Sequence, residues 1–378
     1  MPDVLIYGDT IRSPELRHEV PIGIGDPFLY AESGGARRVL ASPLEAPRLA
    51  ELDSLELQIW EDVGYDELIA QGLTRTELMD EMVRRSVKAA GISSAVVPET
   101  FPLRIADLLR ADGVELRVDR KLFDDRRRVK NAAELAGIRR AQRAAEAGMD
   151  AARDLLRRAT ETNGGLEVDG QPLTSERIKI AIGTAFVDHG TSADELIVSH
   201  GAQSAQGHHM GSGGLRAGEP IVVDLWPRDG ESACYADMTR TFVVGEIPAE
   251  LVEWHRLVKE SLDRSLAGIR AGASCRAIYD ASCEVFEVAG QRTARTKTAG
   301  QPLDEGFFHG LGHGVGLEVH EEPSLGLSTK DELRAGDVVT VEPGLYRPGF
   351  GGLRLEDLVL VTEDGPENLT QYPYDLTP

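Results

Sequence analysis

Acidic side chains recur in two segments that alternate apolar and polar residues around a turn. The first segment, VVDLWPRDGESACYADMTRTF, occupies residues 222–242. If it folds as a hairpin about Gly230 and Glu231, Asp224 faces Asp237 across the two strands. Directly opposed residues of antiparallel strands have Cβ atoms about 4.5–5.5 Å apart, and like charges placed there are destabilising. The sequence therefore predicts a positive charge between these two carboxylates.

A second segment near the C-terminus repeats this arrangement. It reads VVTVEPGLYRPGFGGLRLEDLVLV over residues 338–361, with a Pro/Gly-rich turn at Pro348–Gly352. Folding about Gly349 sets Glu342 opposite Glu356. Between the two hairpins lies HGLGHGVGLEVHEEP, residues 309–323, with three histidines among glycines. Four carboxylates and a histidine cluster beside strands predict a metal site.

The donor types limit which metals this site would hold. Asp224, Asp237, His313, Glu342 and Glu356 offer four carboxylates and one imidazole, which suits manganese, cobalt, iron or zinc rather than copper or an iron–sulfur cluster. Two divalent cations would neutralise four carboxylates, whereas one would leave costly unpaired buried charge. Two metals about 3.5–4 Å apart are a standard device for hydrolysis. Alone, each acid would be a solvated strand residue and His313 a loop histidine, so the prediction depends on their combination.

Composition excludes several classes of partner. The chain has 378 residues and a net charge of −22, which repels nucleic acid phosphates and anionic lipid. No apolar run approaches the roughly 20 residues that span a bilayer. The N-terminus lacks the pattern of a signal peptide, so we expect a cytoplasmic protein without nucleic acid or membrane partners. Three cysteines are too few for a disulfide framework.

The length and the local patterns predict two domains, residues 1–128 and 129–378. In the first, buried strands (Val4–Gly8, Phe28–Ala31, Ser94–Pro98) alternate with helices (Arg75–Ala90, Phe101–Asp112), which indicates an α/β domain with a mostly parallel or mixed sheet. The second begins with a long amphipathic helix, in which Asn131 and Glu134 have the spacing of a capping box. Further helices are expected over residues 175–189, 248–269 and 275–289.

Several motifs in order resemble one enzyme family. GHGVGLEVHEEP, TVEPGLY, LRLED and the Asp…ADMTRTF pair are similar to the metallopeptidases of the pita-bread fold: aminopeptidase P, prolidase and methionine aminopeptidase. The resemblance covers residues 129–378, and residues 1–128 resemble the creatinase/prolidase N-terminal domain in length and position. It implies an α/β N-terminal domain, an α+β pita-bread catalytic domain and a homodimer. The upstream domain favours the proline-specific branch, and the expected cofactors are two divalent ions, above all manganese.

The resemblance also implies roles for the five metal donors. Asp224 would bind one metal, His313 and Glu342 the other, and Asp237 and Glu356 would bridge them. Glu342 would also act as general base and proton carrier.

Further positions match the substrate side of the family's site. His320 would bind the peptide carbonyl, and His208 would close over the substrate, with adjacent His209 as the alternative. His309 and Arg354 would line the pocket, although Arg354 could instead orient a metal ligand.

These expectations combine into one leading hypothesis and two alternatives. The leading one is a dinuclear metal-dependent exopeptidase that removes an N-terminal residue preceding proline, as an Xaa-Pro aminopeptidase or an Xaa-Pro dipeptidase. The alternatives are a metal-free pita-bread binding module and a creatinase-type amidinohydrolase, and the retention of all five donors disfavours both. One departure from the family is the separation of thirteen residues between Asp224 and Asp237, which is two longer than usual.

Overall fold

Two units of structure follow one another along the chain, residues Met1–Arg127 and Arg128–Pro378. The computed structural model describes residues 2–162 and 164–378. Within these two ranges, no helix is both long and apolar enough to cross a membrane.

The first unit is built on a six-stranded mixed sheet. Its strands are β1 (Val4–Gly8), β2 (Phe28–Ser33), β3 (Ala36–Ala41), β4 (Glu56–Ile59), β5 (Ser94–Val97) and β6 (Glu115–Val118). They lie in the order β4-β3-β2-β1-β5-β6, with β1, β2 and β3 antiparallel and the outer pairs parallel. The helices are α1 (Pro14–Glu19), α2 (Ala46–Leu49), α3 (Tyr65–Ala70), α4 (Arg75–Ala89), α5 (Leu103–Ala111) and α6 (Arg120–Arg128), with a 3-10 turn at Trp60–Val63.

Both faces of this sheet are buried because successive side chains of a strand point to opposite sides. Leu5 of β1 joins a cluster with residues of α4 and α5, such as Met82 and Leu109. Its neighbours Val4 and Ile6 join a second cluster that includes residues of α1. The alternating α/β arrangement expected from the sequence is therefore confirmed.

The second unit contains four long helices and fifteen strands in its described residues. The helices are α7 (Ala132–Arg158), α8 (Ser175–Asp188), α9 (Ala249–Gly268) and α10 (Cys275–Val288), with a 3-10 turn at Gly201–Ala205. The strands are β7 (Thr160–Thr162), β8 (Gly165–Val168), β9 (Gln171–Pro172), β10 (Thr191–Ser192), β11 (Ile197–His200), β12 (Ile221–Leu225), β13 (Arg228–Asp229), β14 (Met238–Phe242), β15 (Gly312–Gly314), β16 (Glu321–Leu325), β17 (Val338–Val341), β18 (Gly344–Arg347), β19 (Gly351–Arg354), β20 (Asp357–Thr362) and β21 (Gly365–Asn368).

This unit has two halves, and in each half two helices pack against strands. The helix α7 starts with the predicted capping box, in which Asn131 and Glu134 exchange side-chain and backbone hydrogen bonds. Its apolar face and that of α8 cover the β11-β12-β14 sheet in one core. The helices α9 and α10 cover the β16-β15-β17-β20-β21 sheet and the β18-β19 pair in another.

The register of the first hairpin differs from the sequence prediction. Asp224 pairs with Thr239, two residues beyond Asp237, so the prediction that the two aspartates are directly opposed is wrong. The turn is longer than assumed, because Asp229 accepts hydrogen bonds from the backbone N–H and hydroxyl of Ser232, and the Asp229 N–H donates to the Cys234 carbonyl. This centres the hairpin one residue later. Because the pairing shifts by two residues, an even number, the side chains of both strands keep their predicted faces.

The register of the second hairpin is the predicted one. Gly344 pairs with Arg354 and Val341 with Asp357, on either side of Glu342 and Glu356. The ladder is interrupted between these two pairs, at the step that contains Pro343, which has no N–H to donate. Both glutamates therefore lie at a break in the sheet.

The two hairpins are joined by buried polar contacts. Arg240 of β14, fully buried, donates to the Asp357 carboxylate at 2.9 Å and to the Glu356 carbonyl at 2.7 Å. The Glu356 N–H donates to the Thr239 carbonyl at 3.0 Å. Since Thr239 lies two residues after Asp237, these bonds fix Glu356 beside that aspartate.

Candidate metal centre

Five side chains from separate strands line one cavity of about 730 Å³ in the second unit. We call them the five-donor cluster: Asp224, Asp237, His313, Glu342 and Glu356. Each lies in or at the end of a strand, namely β12, β14, β15, β17 and β20 respectively. The sheets thus position all five predicted donors at one place.

Three members of the cluster are close enough to share an ion. Ligand atoms of Asp237, His313 and Glu356 all lie within 4.8 Å of one another. The Nε2 atom of His313 lies 3.8 Å from Asp237 Oδ2 and 3.7 Å from Glu342 Oε1. His313 Nδ1 donates to the Gly314 carbonyl at 3.1 Å, which leaves the Nε2 lone pair directed at the acids. An imidazole held in this tautomer can act as a metal ligand.

Burial and the proximity of like charges shift pKa values within the five-donor cluster. Burial, followed by the charge of Glu356, raises the pKa of Asp237 well above its ordinary range. Burial and then the charge of Glu342 likewise raise the pKa of Glu356, and burial raises that of Glu342 to about 7. Burial and then His320 lower the pKa of His313 to about 4. The charge of Arg354 opposes these upward shifts only in part, and His313 is neutral, as a metal ligand must be.

Unpartnered buried atoms show that the cluster fits divalent cations. Asp224 Oδ1 and Asp237 Oδ1 are buried and accept no hydrogen bond. A buried acceptor without a partner costs about 1–3 kcal/mol. Metal ions bound by these oxygens would remove that cost and the repulsion between the acids. The donor set therefore fits one or two hard divalent ions.

The guanidinium of Arg354 forms hydrogen bonds that reach two acids of the five-donor cluster. This buried side chain donates through Nη2 to Asp224 and through Nε to Thr239 Oγ1 at 3.1 Å. The Thr239 hydroxyl in turn donates to Glu356 Oε2 at 2.7 Å. Arg354 thus holds one acid directly and another through Thr239. It also lines the cavity, so both roles considered for it from the sequence are compatible with its position.

Thr239 and Tyr346 form hydrogen bonds at the site but were not predicted from the sequence. The Tyr346 hydroxyl accepts from Arg354 Nη1 at 2.9 Å and lies 3.0 Å from His309 Nε2. Because His309 Nδ1 donates to the Gly310 carbonyl, Tyr346 donates to Nε2. The hairpin register could have identified Tyr346, since it lies two residues after the partner of Arg354 and on the same face. Thr239 could be identified only from the observed register of the first hairpin, in which it pairs with Asp224.

The predicted substrate-side histidines are not equally placed. His208, His309 and His320 line the cavity, and the rings of His320 and His313 lie 4.2 Å apart between centroids. His209 does not line it, and its Nδ1 accepts from the Gly211 N–H at 3.0 Å. The structure therefore brings His208, but not His209, to the cavity. Other residues absent from the sequence prediction complete the wall: Glu195, Ile197, Met210, Trp226, Phe308 and Val319.

Comparison with known proteins identifies the family. Residues 136–363 match the profile of metallopeptidase family M24. The Xaa-Pro dipeptidase of Pyrococcus furiosus is 33% identical over 189 residues, which span 49% of this chain and 49% of that protein. The match thus covers about half the length of that relative.

Solved structures resemble the chain over its whole length. A Bacillus anthracis Xaa-Pro dipeptidase aligns with 100% of this chain and 94% of its own, with a TM-score of 0.78 and 22% identity. A Thermotoga maritima X-Pro aminopeptidase aligns over 99% and 97%, also with a TM-score of 0.78 and 22% identity. The chain belongs to metallopeptidase family M24. Its fold is the α/β N-terminal domain and α+β pita-bread catalytic domain expected from the sequence.

Proposed function

We propose that this protein is a dinuclear metal-dependent exopeptidase that cleaves the bond between an N-terminal residue and a following proline. The observation that carries the proposal is the convergence of the five-donor cluster on one cavity of an M24 chain, with two buried aspartate oxygens unpartnered. All five donors are present and converge, which disfavours the metal-free alternatives.

Within this proposal each donor keeps the role implied by the sequence. Asp224 would hold one ion, His313 and Glu342 would hold the other, and Asp237 and Glu356 would contribute to both. Bound divalent ions supply an activated water and polarise the scissile carbonyl. Glu342 accepts the proton of the nucleophile and passes it to the leaving amine, for which its place in the cavity is suitable.

The histidines complete the proposed substrate contacts. His320 contacts the peptide carbonyl, His208 closes over the substrate, and His309 lines the pocket. The hydrogen bond from Tyr346 keeps His309 in one tautomer, and burial lowers the pKa of His309 to about 3, so it is neutral in the working range.

Proline selectivity is proposed from the names of the similar proteins, which are Xaa-Pro dipeptidases and an X-Pro aminopeptidase. A bond before proline is a tertiary amide without an N–H, so its cleavage needs a pocket shaped for the ring. Manganese as the native ion and a homodimer are part of the same proposal and are supported by the resemblance to the family, and a cytoplasmic location is the expectation from the sequence.

Paired peptides test this function. We expect manganese-loaded protein to hydrolyse Ala-Pro-Ala or Ala-Pro and not Ala-Ala-Ala, and chelator-treated protein to hydrolyse none. The better substrate of the first two distinguishes an aminopeptidase from a dipeptidase.

Replacing Asp237 by Ala should abolish this hydrolysis, because Asp237 is the proposed bridge between the ions. Circular dichroism would confirm that the variant is folded. Wild-type turnover by folded Asp237→Ala, or equal cleavage of Ala-Ala-Ala by the native protein, would contradict the proposal.

A further inference from the structure

One acid of the cavity wall has no part in the metal centre. Glu195 is an exposed residue that lines the cavity, two residues before Ile197 of β11. Its carboxylate forms no ion pair or side-chain hydrogen bond with any described residue. Lys179 of α8 interacts with it electrostatically but donates to the Gly211 carbonyl at 3.1 Å and does not line the cavity. A negative charge is therefore presented to whatever occupies this part of the cavity.

The strand register places Glu195 near Trp226. Ile197 pairs with Asp224, and both line the cavity. Glu195 lies two residues before Ile197 and Trp226 two residues after Asp224, just beyond the ends of β11 and β12, and both also line the cavity. Further out, Ser192 pairs with Arg228, so the register changes by one residue beyond Glu195. Glu195 and Trp226 thus form the next layer of the wall beyond the Ile197–Asp224 pair.

The distance from this layer to the metal centre suits a particular substrate group. Two residues of extended chain span at most about 7 Å, so the backbones of Glu195 and Trp226 lie within about one extended lysine side chain of Ile197 and Asp224 respectively. A carboxylate beside an indole face binds a cation through charge and through the cation–π interaction. Ile197 and Met210 also line the cavity, and such apolar side chains can accommodate the methylene stem of a lysine or arginine.

We propose that Glu195, together with Trp226, selects peptides whose N-terminal residue carries a positively charged side chain, lysine or arginine. This inference rests on the proposed exopeptidase function and assigns its substrate class. Trp226 directly follows β12, in the hairpin whose two aspartates are two residues further apart than is usual in the family. The net charge of −22 favours the approach of cationic peptides in addition.

The test compares two tripeptides that differ in one ammonium group, Lys-Pro-Ala and norleucine-Pro-Ala. Metal-loaded native protein should show a kcat/KM about threefold to tenfold higher for the lysine peptide, the range that partly exposed charge and cation–π contacts supply. Glu195→Gln should bring this ratio close to one. Asp194→Asn, which removes the adjacent exposed charge outside the cavity, should keep the native ratio.

Several outcomes would overturn the assignment. A native ratio of one contradicts it, as does a native ratio retained by Glu195→Gln. A preference for Ala-Pro-Lys over Ala-Pro-norleucine without one at the N-terminal residue would place the cation site on the other side of the scissile bond. If neither these tripeptides nor the dipeptides Lys-Pro and norleucine-Pro are cleaved, the proposed function is wrong. In that case, calorimetry would measure the binding of the same two tripeptides to native protein and to Glu195→Gln, which tests the role of Glu195 without requiring hydrolysis.

Discussion

Arg354 is the residue on which the buried polar contacts around the metal centre depend. It donates to Asp224 directly and reaches Glu356 through Thr239, so it connects acids from two different hairpins. It also donates to Tyr346, whose hydroxyl contacts His309. A single guanidinium with its donors in a fixed fork therefore orients two proposed metal ligands directly or through Thr239, and His309 through Tyr346.

Replacing Arg354 by Lys should lower activity and metal affinity about tenfold to hundredfold, the usual cost of losing a group that orients metal ligands. Lysine retains the charge but cannot reach Asp224, Thr239 and Tyr346 together. Metal titration and kcat/KM for Ala-Pro-Ala would measure the loss. The matched control is Arg347→Lys in the same hairpin, whose partner is Glu250 and which should be close to native. Equal behaviour of the two variants would count against the orienting role.

At the scale of elements, the strand β15 sets the position of His313 through its glycines. A Cβ at Gly312 would lie 2.0 Å from the Thr340 carbonyl oxygen, and one at Gly314 would lie 2.4 Å from that of Glu322. Contacts this short force the backbone to move. The glycines on either side of His313 therefore allow β15 to fit between its neighbouring strands.

Gly312→Ala should displace β15 and destabilise the second unit by about 1–3 kcal/mol, with loss of metal binding through His313. Gly326→Ala is the matched control, because the nearest atom to its added Cβ is Ser324 Oγ at 3.5 Å. Denaturant unfolding and metal titration measure both effects. Native metal affinity in Gly312→Ala would show that the close contact does not fix His313.

The first unit contains an acid whose ionisation supports its fold. Glu19 is buried, and burial alone would raise its pKa, but Arg126 and Arg37 bind it and hold the pKa below the ordinary value of 4.5. A lowered pKa in the folded state adds stability above pH 4.5, and this stability is lost as the pH falls through the folded value. The ionised form of Glu19 is therefore the stabilising one.

Glu19→Gln should cost about 1–2 kcal/mol at pH 7, because the partly buried Arg37 and Arg126 lose an ionised acceptor, although Arg126 keeps Glu32. The difference from native protein should shrink as the pH falls below 4.5. Calorimetric melting at pH 7 and pH 3.5 measures it. Glu56→Gln, from an exposed pair with Arg38, should change little at either pH. A difference for Glu19→Gln that is independent of pH would contradict this explanation.

The two hairpins show what could be predicted from the sequence and why. The second register was predictable because a short turn about Gly349 leaves few alternatives and alternation fixes the faces. The first was not, because the turn is held by Asp229 and Ser232, and Ala233 adopts a left-handed conformation that residue type does not indicate. The predicted strand faces, and hence the predicted metal donors, were unaffected because the register differs by an even number of residues.

The rest of the cavity wall depended on contacts between distant segments. Tyr346 and Thr239 are ordinary strand residues until the hairpins are joined, and Glu195 reaches the cavity through the pairing of β11 with β12. Periodicity identifies which residues share a strand face, but it does not say which other strand that face meets. The metal donors were an exception because a cluster of acids and a histidine is informative without tertiary structure.

The molecule as a whole is acidic, with a net charge of −22, and it contains a buried acidic centre. The raised pKa values of Asp237 and Glu356 indicate a centre that divalent cations would stabilise. Membership of metallopeptidase family M24 agrees with this electrostatic argument, which rests on the geometry of this chain alone. We therefore propose that the five-donor cluster holds two divalent ions together.

Metal stoichiometry tests that claim most directly. Native protein equilibrated with manganese and freed of unbound metal should contain two ions per chain by elemental analysis. Asp237→Asn should contain at most one, since it lacks the proposed bridging carboxylate, while Asp194→Asn should retain two. Two ions per chain in Asp237→Asn, or none in native protein, would contradict the account.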